Sequence, residues 1–245
     1  CNFHFSTLNK HDEILNTIIQ EIEINQKKFK IKNISTIYFG GGTPSIVDEN
    51  FLEIILRKIF QKYNVSKKCE ITLEANPDDI SEEKLKNWKK IGVNRLSLGV
   101  QSFNESILKK LNRVHSGDQA KKSIKLLKKY FENFSIDLMF GTPLSSVKTV
   151  NSDLKTLKSF DPPHISIYNM TIENKTVFQK QLENKKLILP KEDEILKQYD
   201  IILKKLERYG YENYEISNFS KKGFYSKHNS NYWNDEQYIG FGPSA

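Results

Sequence analysis

Ile37-Tyr38-Phe39-Gly40-Gly41-Gly42-Thr43-Pro44-Ser45 is the stretch that decides the fold. Three residues suited to a buried strand run directly into three glycines, which permit backbone conformations and close ligand approaches that a Cβ blocks. The stretch therefore reads as a strand ending in exposed amides, a natural ligand seat.

The same unit recurs along the chain. Upstream, Ile14, Leu15, Ile18, Ile19 and Ile22 fall at helical spacing; downstream, Phe51, Leu52, Ile55, Leu56, Ile59 and Phe60 mark an amphipathic helix. Strands are expected over 34–39, 70–74, 95–100, 134–140 and 165–168. Between them lie helices bearing Leu85, Trp88 and Ile91 behind a Ser81 cap, then Ile107, Leu108 and Leu111. Ser116 and Gln119 have capping-box spacing ahead of Ile124, Leu127 and Phe131, and Val147, Val150, Leu154 and Leu157 form a further stripe. Five strands alternating with helices every 25 to 40 residues or so, roughly one βαβ unit each, predict a parallel sheet with right-handed crossovers. The array runs to about Thr171.

Beyond it the rhythm changes. A polar stretch spans 174–186, Pro190 precedes a helix bearing Ile195, Leu196, Tyr199, Ile202, Leu203 and Leu206 that Gly210 stops, and the tail 211–245 is aromatic and Gly-rich without a clear period. Residues 1–172 read as one α/β array and 173–245 as a smaller α+β appendage. With 245 residues and 38% hydrophobic content, the chain can bury one main core with such an appendage. No run of about 18 apolar residues is present and the start shows no signal-peptide pattern, so no membrane span is expected and the cytoplasm is the expected compartment. The net charge is +8, but lysines alternate with glutamates along helical segments and no basic run is interleaved with aromatics. This argues for a solvated basic surface and against nucleic acid as a partner. The two cysteines, Cys1 and Cys69, leave no disulfide scaffold, and Cys69, opening an apolar strand, reads as core. A chain opening at Cys1 without an initiator Met and ending abruptly at Ala245 reads as a fragment of a longer protein.

In parallel βα arrays ligands sit at the carboxyl ends of the strands. Those ends offer Gly40 to Thr43, Glu74 with Asn76, Gly99 with Gln101, Asp137 with Gly141, and Asn169 with Thr171. The ring supplies amide donors for a carboxylate, carboxylates for an ammonium or ribose hydroxyls, and amides for a purine edge. Such a mixture suits a zwitterionic, nucleoside-like ligand. Asp137 is the sharpest single residue, because a carboxylate between Ile136 and Leu138 within a strand must be paired or face a polar cavity. Taken alone, Glu74 reads as a strand-end charge, Gln101 as a solvated turn residue and Arg113 as surface; the case rests on joint placement. In the tail, His228-Asn229-Ser230-Asn231-Tyr232-Trp233 gathers ligand-capable and aromatic residues in an expected loop. A flat ring system would stack on Tyr232 and Trp233 with His228 facing a metal, or aromatic packing pins the loop.

Taken together these motifs resemble a family. Cys1-Asn2-Phe3-His4 is similar to the end of the CxxxCxxC motif of radical S-adenosylmethionine proteins, and Gly40-Gly41-Gly42-Thr43-Pro44, Glu74-Ala75-Asn76-Pro77, Gly99-Val100-Gln101-Ser102-Phe103 and Asp137-Leu138-Met139 follow in family order. The resemblance is to the oxygen-independent coproporphyrinogen III oxidase-like group and, within it, the haem chaperone branch. It implies a partial, six-stranded (β/α)6 TIM-like barrel whose first strand lies upstream. It also implies a 4Fe-4S cluster held by three cysteines, of which only Cys1 is present, and S-adenosylmethionine bound on the open iron. Gly41, Gly42 and Thr43 match the turn receiving its methionine part, and Glu74, Gln101, Arg113, Asp137 and Thr171 match positions around it. Two features separate the branches. The oxidases carry a fourth cysteine where this chain has Phe3, and the chaperones carry the His-Asn then Tyr-Trp motif matched by His228, Asn229, Tyr232 and Trp233. One departure is Gly141-Thr142-Pro143-Leu144-Ser145, where relatives have Gly-Leu-Pro-Gly-Gln-Thr. The implied activity is haem binding and delivery to membrane-bound acceptor proteins, with peripheral membrane contact but no insertion. Oxidative decarboxylation of coproporphyrinogen is the competing reading, and a phosphate-binding barrel enzyme without a cluster the third.

Overall fold

The structure, a computed structural model, describes residues 11–245 apart from Lys32 and Ser244. Cys1, the expected cluster ligand, lies outside the described residues. Five strands, β1 (Ile34–Phe39), β2 (Val65–Ala75), β3 (Arg95–Gln101), β4 (Phe134–Phe140) and β5 (His164–Asn169), pair in chain order and all in parallel. Two short strands, β6 (Glu212–Asn213) and β7 (Asn218–Ser220), extend the sheet beyond β5, with β7 antiparallel to it. Helices α1 (His11–Lys28), α2 (Glu49–Lys62), α3 (Glu82–Lys90), α4 (Glu105–Lys110), α5 (Gly117–Leu127) and α6 (Val147–Phe160) precede or cross between the parallel strands. Then follow α7 (Val177–Glu183), α8 (Glu192–Arg208) and α9 (Lys227–Trp233).

Each parallel strand alternates two kinds of residue, and the alternation builds the fold. Ile37, Ile71, Leu73, Leu96, Leu98, Ile136, Leu138, Ile165 and Ile167 are buried in the core shared with the helices. Each such side chain contributes about 1.5–3 kcal/mol when fully removed from water. The residues between them are Thr36 and Tyr38, Thr72 and Glu74, Arg95, Ser97 and Gly99, Ser135 and Asp137, and His164, Ser166 and Tyr168. They line the inner face of a partial barrel, which is therefore polar.

The helices are set by their caps and stripes. Asp48 accepts from Asn50 N to start α2, whose Leu52, Ile55, Leu56 and Ile59 are buried, and Ser81 and Ser116 cap α3 and α5 as expected. A reciprocal capping box between Ser146 and Thr149 opens α6. Gly210, at φ +84°, follows α8 in the left-handed conformation that favours glycine.

Five elements depart from the sequence reading. Strand β2 begins at Val65, and its early start is hidden by Ser66, Lys67 and Lys68, half-exposed or exposed residues without an apolar signal. The polar stretch holds α7, which Thr176 caps through Gln179 N and which buries no residue, hence no stripe. The tail holds β6 and β7, too short to display alternation. Finally, the expected loop at 228–233 is helix α9. Ser226 accepts from Asn229 N, while Lys227 N and His228 N donate to the buried Glu70 carboxylate at 3.2 and 3.1 Å. A carboxylate at a helix N-terminus satisfies orphan amides and favours the dipole; seven residues show no period by themselves.

Candidate functional site

The strand ends converge on one rim. Gly41 has φ +111°, and nothing lies within 4 Å of the position a Cβ would take at Gly41 or Gly42, so the turn borders open space on that side. Gly40 is constrained differently: a Cβ there would stand 2.7 Å from the Tyr38 ring and 3.3 Å from Glu74 Oε1. The Tyr38 hydroxyl donates to Glu74 Oε1 at 2.7 Å, and Gly41 N–H bonds the same carboxylate. Burial raises the Glu74 pKa, and the two donors oppose that shift. Thr43 follows, half-buried, ahead of the short 3-10 turn Pro44–Ile46.

Across the rim, Arg113 reaches inward rather than into solvent. Its Nη2 donates to Asn76 Oδ1 at 2.6 Å and to Gly99 O at 3.0 Å, and burial lowers its pKa. Taken alone Arg113 reads as surface; acceptors at the ends of two other strands draw it to the rim, where the joint reading places it. Gln101 is no solvated turn residue either. It ends β3 with φ 66°, and its Oε1 accepts from the Tyr168 hydroxyl at 3.0 Å. Gly99 leaves room for both, since a Cβ would lie 3.0 Å from Gln101 Nε2 and 3.6 Å from Arg113 Nη2. Gln101, Arg113, Tyr168 and Thr171 line one cleft of ≈ 290 Å³ together with Met139 and Met170. A wider depression of ≈ 730 Å³ lies on the outer helices, lined by Lys121, Lys125, Lys128 and Lys155. It includes no residue of the ring, and the strand-end cleft is the chemically equipped one.

Asp137 sits between rim and floor. Ser97 Oγ donates to its Oδ2 at 2.8 Å and Ser135 Oγ to its Oδ1 at 2.8 Å, and burial raises its pKa despite these bonds. Hydroxyls, not an ion pair, hold the carboxylate. From Ser135 a chain of bonds runs on to the tail: His164 Nδ1 lies 2.9 Å from Ser135 Oγ, His164 Nε2 lies 2.7 Å from the Tyr214 hydroxyl, and Ser226 N donates to that hydroxyl at 3.2 Å. Burial, with Arg95 adding to it, holds the His164 pKa well below its ordinary value, so the ring is neutral. Because Ser135 spends its proton on Asp137, Nδ1 carries the imidazole hydrogen and Nε2 accepts from Tyr214. Every donor in the chain then points toward Asp137.

The tail motif meets the same inner face. His228 is half-buried, its ring stacked on Tyr38 with centroids 4.6 Å apart and its Nδ1 3.1 Å from Thr36 Oγ1. Burial lowers its pKa. Tyr232 meets His228 edge-on at 5.2 Å, and Tyr232 and Trp233 remain 50% and 57% exposed. Trp233 Nε1 donates to Glu215, and Asn229 is half-buried. Thus Gly41, Glu74, Tyr38 and His228 form one contact series, and Gln101, Arg113 and Thr171 share one cleft. The sequence reading missed Tyr38, Glu70, His164 and Tyr214. The signal for three of them was polar residues recurring at every second position of otherwise apolar strands.

Comparison with known proteins agrees with this geometry. A model of the radical SAM superfamily matches residues 1–157. The chain is 40% identical over 251 residues to the haem chaperone HemW of Bacillus subtilis (strain 168), covering 99% of this chain and 66% of that protein. It is 32% identical to HemW of Escherichia coli (strain K12), covering 65% of it. It is 36% identical to the mitochondrial radical S-adenosyl methionine domain-containing protein 1 of Danio rerio, covering 56% of it. The chain thus spans about two thirds of the bacterial relatives and less of the fish one. Among solved structures, the radical SAM enzyme coproporphyrinogen III oxidase of Escherichia coli superposes with a TM-score of 0.80 at 22% identity, over 96% of this chain and 54% of that one. At that identity the likeness speaks for the fold, a partial TIM-like barrel.

Proposed function

Because the chain belongs to the radical SAM superfamily, in its coproporphyrinogen oxidase-like group, we propose that it is the barrel portion of a haem chaperone of the cytoplasm that receives haem and passes it to membrane-bound acceptor proteins. Residues 1–172 form the cofactor barrel in this reading, and 173–245 begin the haem-associated region. The observation that carries it is the contact series from the rim to α9. His228 of the motif stacks on Tyr38, whose hydroxyl donates to Glu74 beside the glycine turn. Motif and cofactor seat are thereby built against one another.

The rim residues fit S-adenosylmethionine in chemistry. The open backbone at Gly41 and Gly42, with Thr43, leaves room for the carboxylate of its methionine part, and the Glu74 carboxylate suits its ammonium. Asp137, Gln101, Arg113 and Thr171 offer acceptors and donors for the nucleoside part. A 4Fe-4S cluster, of which Cys1 would be the third ligand, supplies one-electron chemistry when bound. What this chain's own residues contribute is orientation. Tyr38 and Gly41 fix the Glu74 carboxylate, Asn76 and Gly99 aim Arg113, and two serines hold Asp137.

For haem, Tyr232 and Trp233 present large exposed rings on one short helix, suited to stacking on a flat tetrapyrrole, with His228 and Asn229 one turn away. His228 has to leave Tyr38 to reach an iron, so haem binding would loosen the contact series. The full-length protein, with its cluster reconstituted anaerobically, is expected to bind haem and to leave coproporphyrinogen unchanged. Replacing His228 by Ala should weaken haem at least about tenfold, the loss of one good ligand contact. Efficient coproporphyrinogen turnover, or parental haem affinity in His228→Ala, overturns the reading.

A further inference from the structure

Arg95 is the least expected residue of the inner face. It opens β3, is only 2% exposed, and its Nε has no hydrogen-bond partner. It makes no ion pair among the described residues. A guanidinium removed from water without a partner is costly, and proteins keep one buried only when something negative meets it. The two carboxylates nearest on the inner face are otherwise engaged. Asp137 is held by Ser97 and Ser135, and Glu70 by the Ser226 hydroxyl and the first amides of α9.

A second observation stands beside the first. Thr72 is the residue paired with Arg95 across β2 and β3, it is fully buried, and its hydroxyl also lacks a partner. Two adjacent polar groups on one face, both closed to bulk water, are left with bonds unmade. Around them stand Tyr38, the uncharged His164 and Tyr214, each of which feels the Arg95 charge, as does the serine-held Asp137 carboxylate. His228 of α9 feels it too.

We propose that Arg95 and Thr72 form an internal binding site for a single carboxylate group at the floor of the barrel. The guanidinium edge and a hydroxyl match the two oxygens of a carboxylate, whereas a phosphate dianion ordinarily collects more than one cation. The site is separate from the rim: Arg95 and Gln101 are six residues apart on β3, about 20 Å along a strand. Two sources share this chemistry. One is a small free carboxylate such as acetate. The other, which rests on the haem reading, is a propionate arm of a tetrapyrrole held by α9, whose N-terminus and His228 border the floor.

The test begins without haem. The midpoint of thermal unfolding of the full-length protein is measured in sodium acetate against sodium chloride at equal ionic strength, for the parent, Arg95→Met and Thr72→Val. The site predicts that acetate raises the parent midpoint by several degrees, that Arg95→Met abolishes the rise, and that Thr72→Val reduces it. Should Arg95→Met fail to fold, Thr72→Val carries the test. Haem and haem dimethyl ester are then titrated into the parent. Preference for the free acid by about tenfold, the scale of one charge-assisted contact, with competition by acetate, assigns the propionate as occupant. Equal affinities together with acetate protection assign a free carboxylate. An acetate effect that is absent in the parent, or identical in the parent and both variants, overturns the site whatever haem does.

Discussion

The rim and the floor of the same barrel are built from the same strands and similar polar residues, yet they are opposites in how their bonds are spent. At the rim, Glu74, Gln101, Arg113 and Asp137 are oriented by one or two protein partners each, and the backbone at Gly41 and Gly42 borders open space. On the floor, Glu70 takes three donors from the tail and His164 is bonded through both ring nitrogens, whereas Arg95 Nε and the Thr72 hydroxyl stand apart. Oriented groups with capacity to spare make a binding surface. Groups that saturate one another make a joint, and here the joint fastens α9 to the barrel.

The sharpest way to break this contrast is at Glu70. Substitution by Ala strips the Ser226 hydroxyl and the Lys227 and His228 amides of their acceptor, so a loss of about 2–4 kcal/mol is expected from a lost cap and unsatisfied donors. Hydrogen exchange over 227–233 should rise with it, and unaltered protection there would show that Glu70 is not the fastening. Tyr38 touches both ends. Its replacement by Phe keeps the stack on His228 and removes the bond to Glu74, expected to cost about 1–2 kcal/mol in chemical denaturation. Tyr38→Ala should cost more and release α9 as well; equal effects would mean the stack contributes nothing.

A smaller effect, visible mainly in its pH dependence, comes from Asp153 on α6. It is buried, accepts from Ser102 Oγ at 2.6 Å and Phe103 N at 3.0 Å, and so pins the loop that follows Gln101. Burial pushes its pKa from 3.8 up to about 6, although both bonds oppose the shift. The folded state therefore holds this proton more tightly than the unfolded chain. The stability it contributes is fully present below pH 3.8 and lost as pH rises through about 6. In Asp153→Asn, the fall in stability between those pH values should flatten; an unchanged slope would place its titration elsewhere. Last, Lys86→Ala removes a 2.7 Å pair with Glu82 on the exposed face of α3, and no measurable change in unfolding midpoint is expected.

The same contrast explains what could be read in advance. Rim residues follow directly on apolar runs, so Gly40 to Thr43, Glu74, Gln101 and Asp137 announced themselves through local sequence, as did the five parallel strands through periodicity. Arg113, taken alone, looked like surface because its acceptors, Asn76 Oδ1 and Gly99 O, come from the ends of other strands. On the floor every partnership is of that long-range kind: Glu70 with Lys227 and His228, and His164 with Tyr214. The tail looked irregular for a related reason. Strands of two and three residues and a helix of seven take their structure from what they dock against. The departure at Gly141 to Ser145 found its partner only in space, where Gly141 N and Ser145 Oγ both donate to Gln198 of α8.

The central claim, one inner face with two separately built ends, is tested most directly by Gly99→Val in the full-length protein carrying its cluster. The added side chain would crowd Gln101 and Arg113 at the rim and leave α9 untouched. Equilibrium titrations should show S-adenosylmethionine bound at least about tenfold more weakly, with haem affinity unchanged within about twofold. Undiminished S-adenosylmethionine affinity, or haem affinity lost in step with it, would contradict the account.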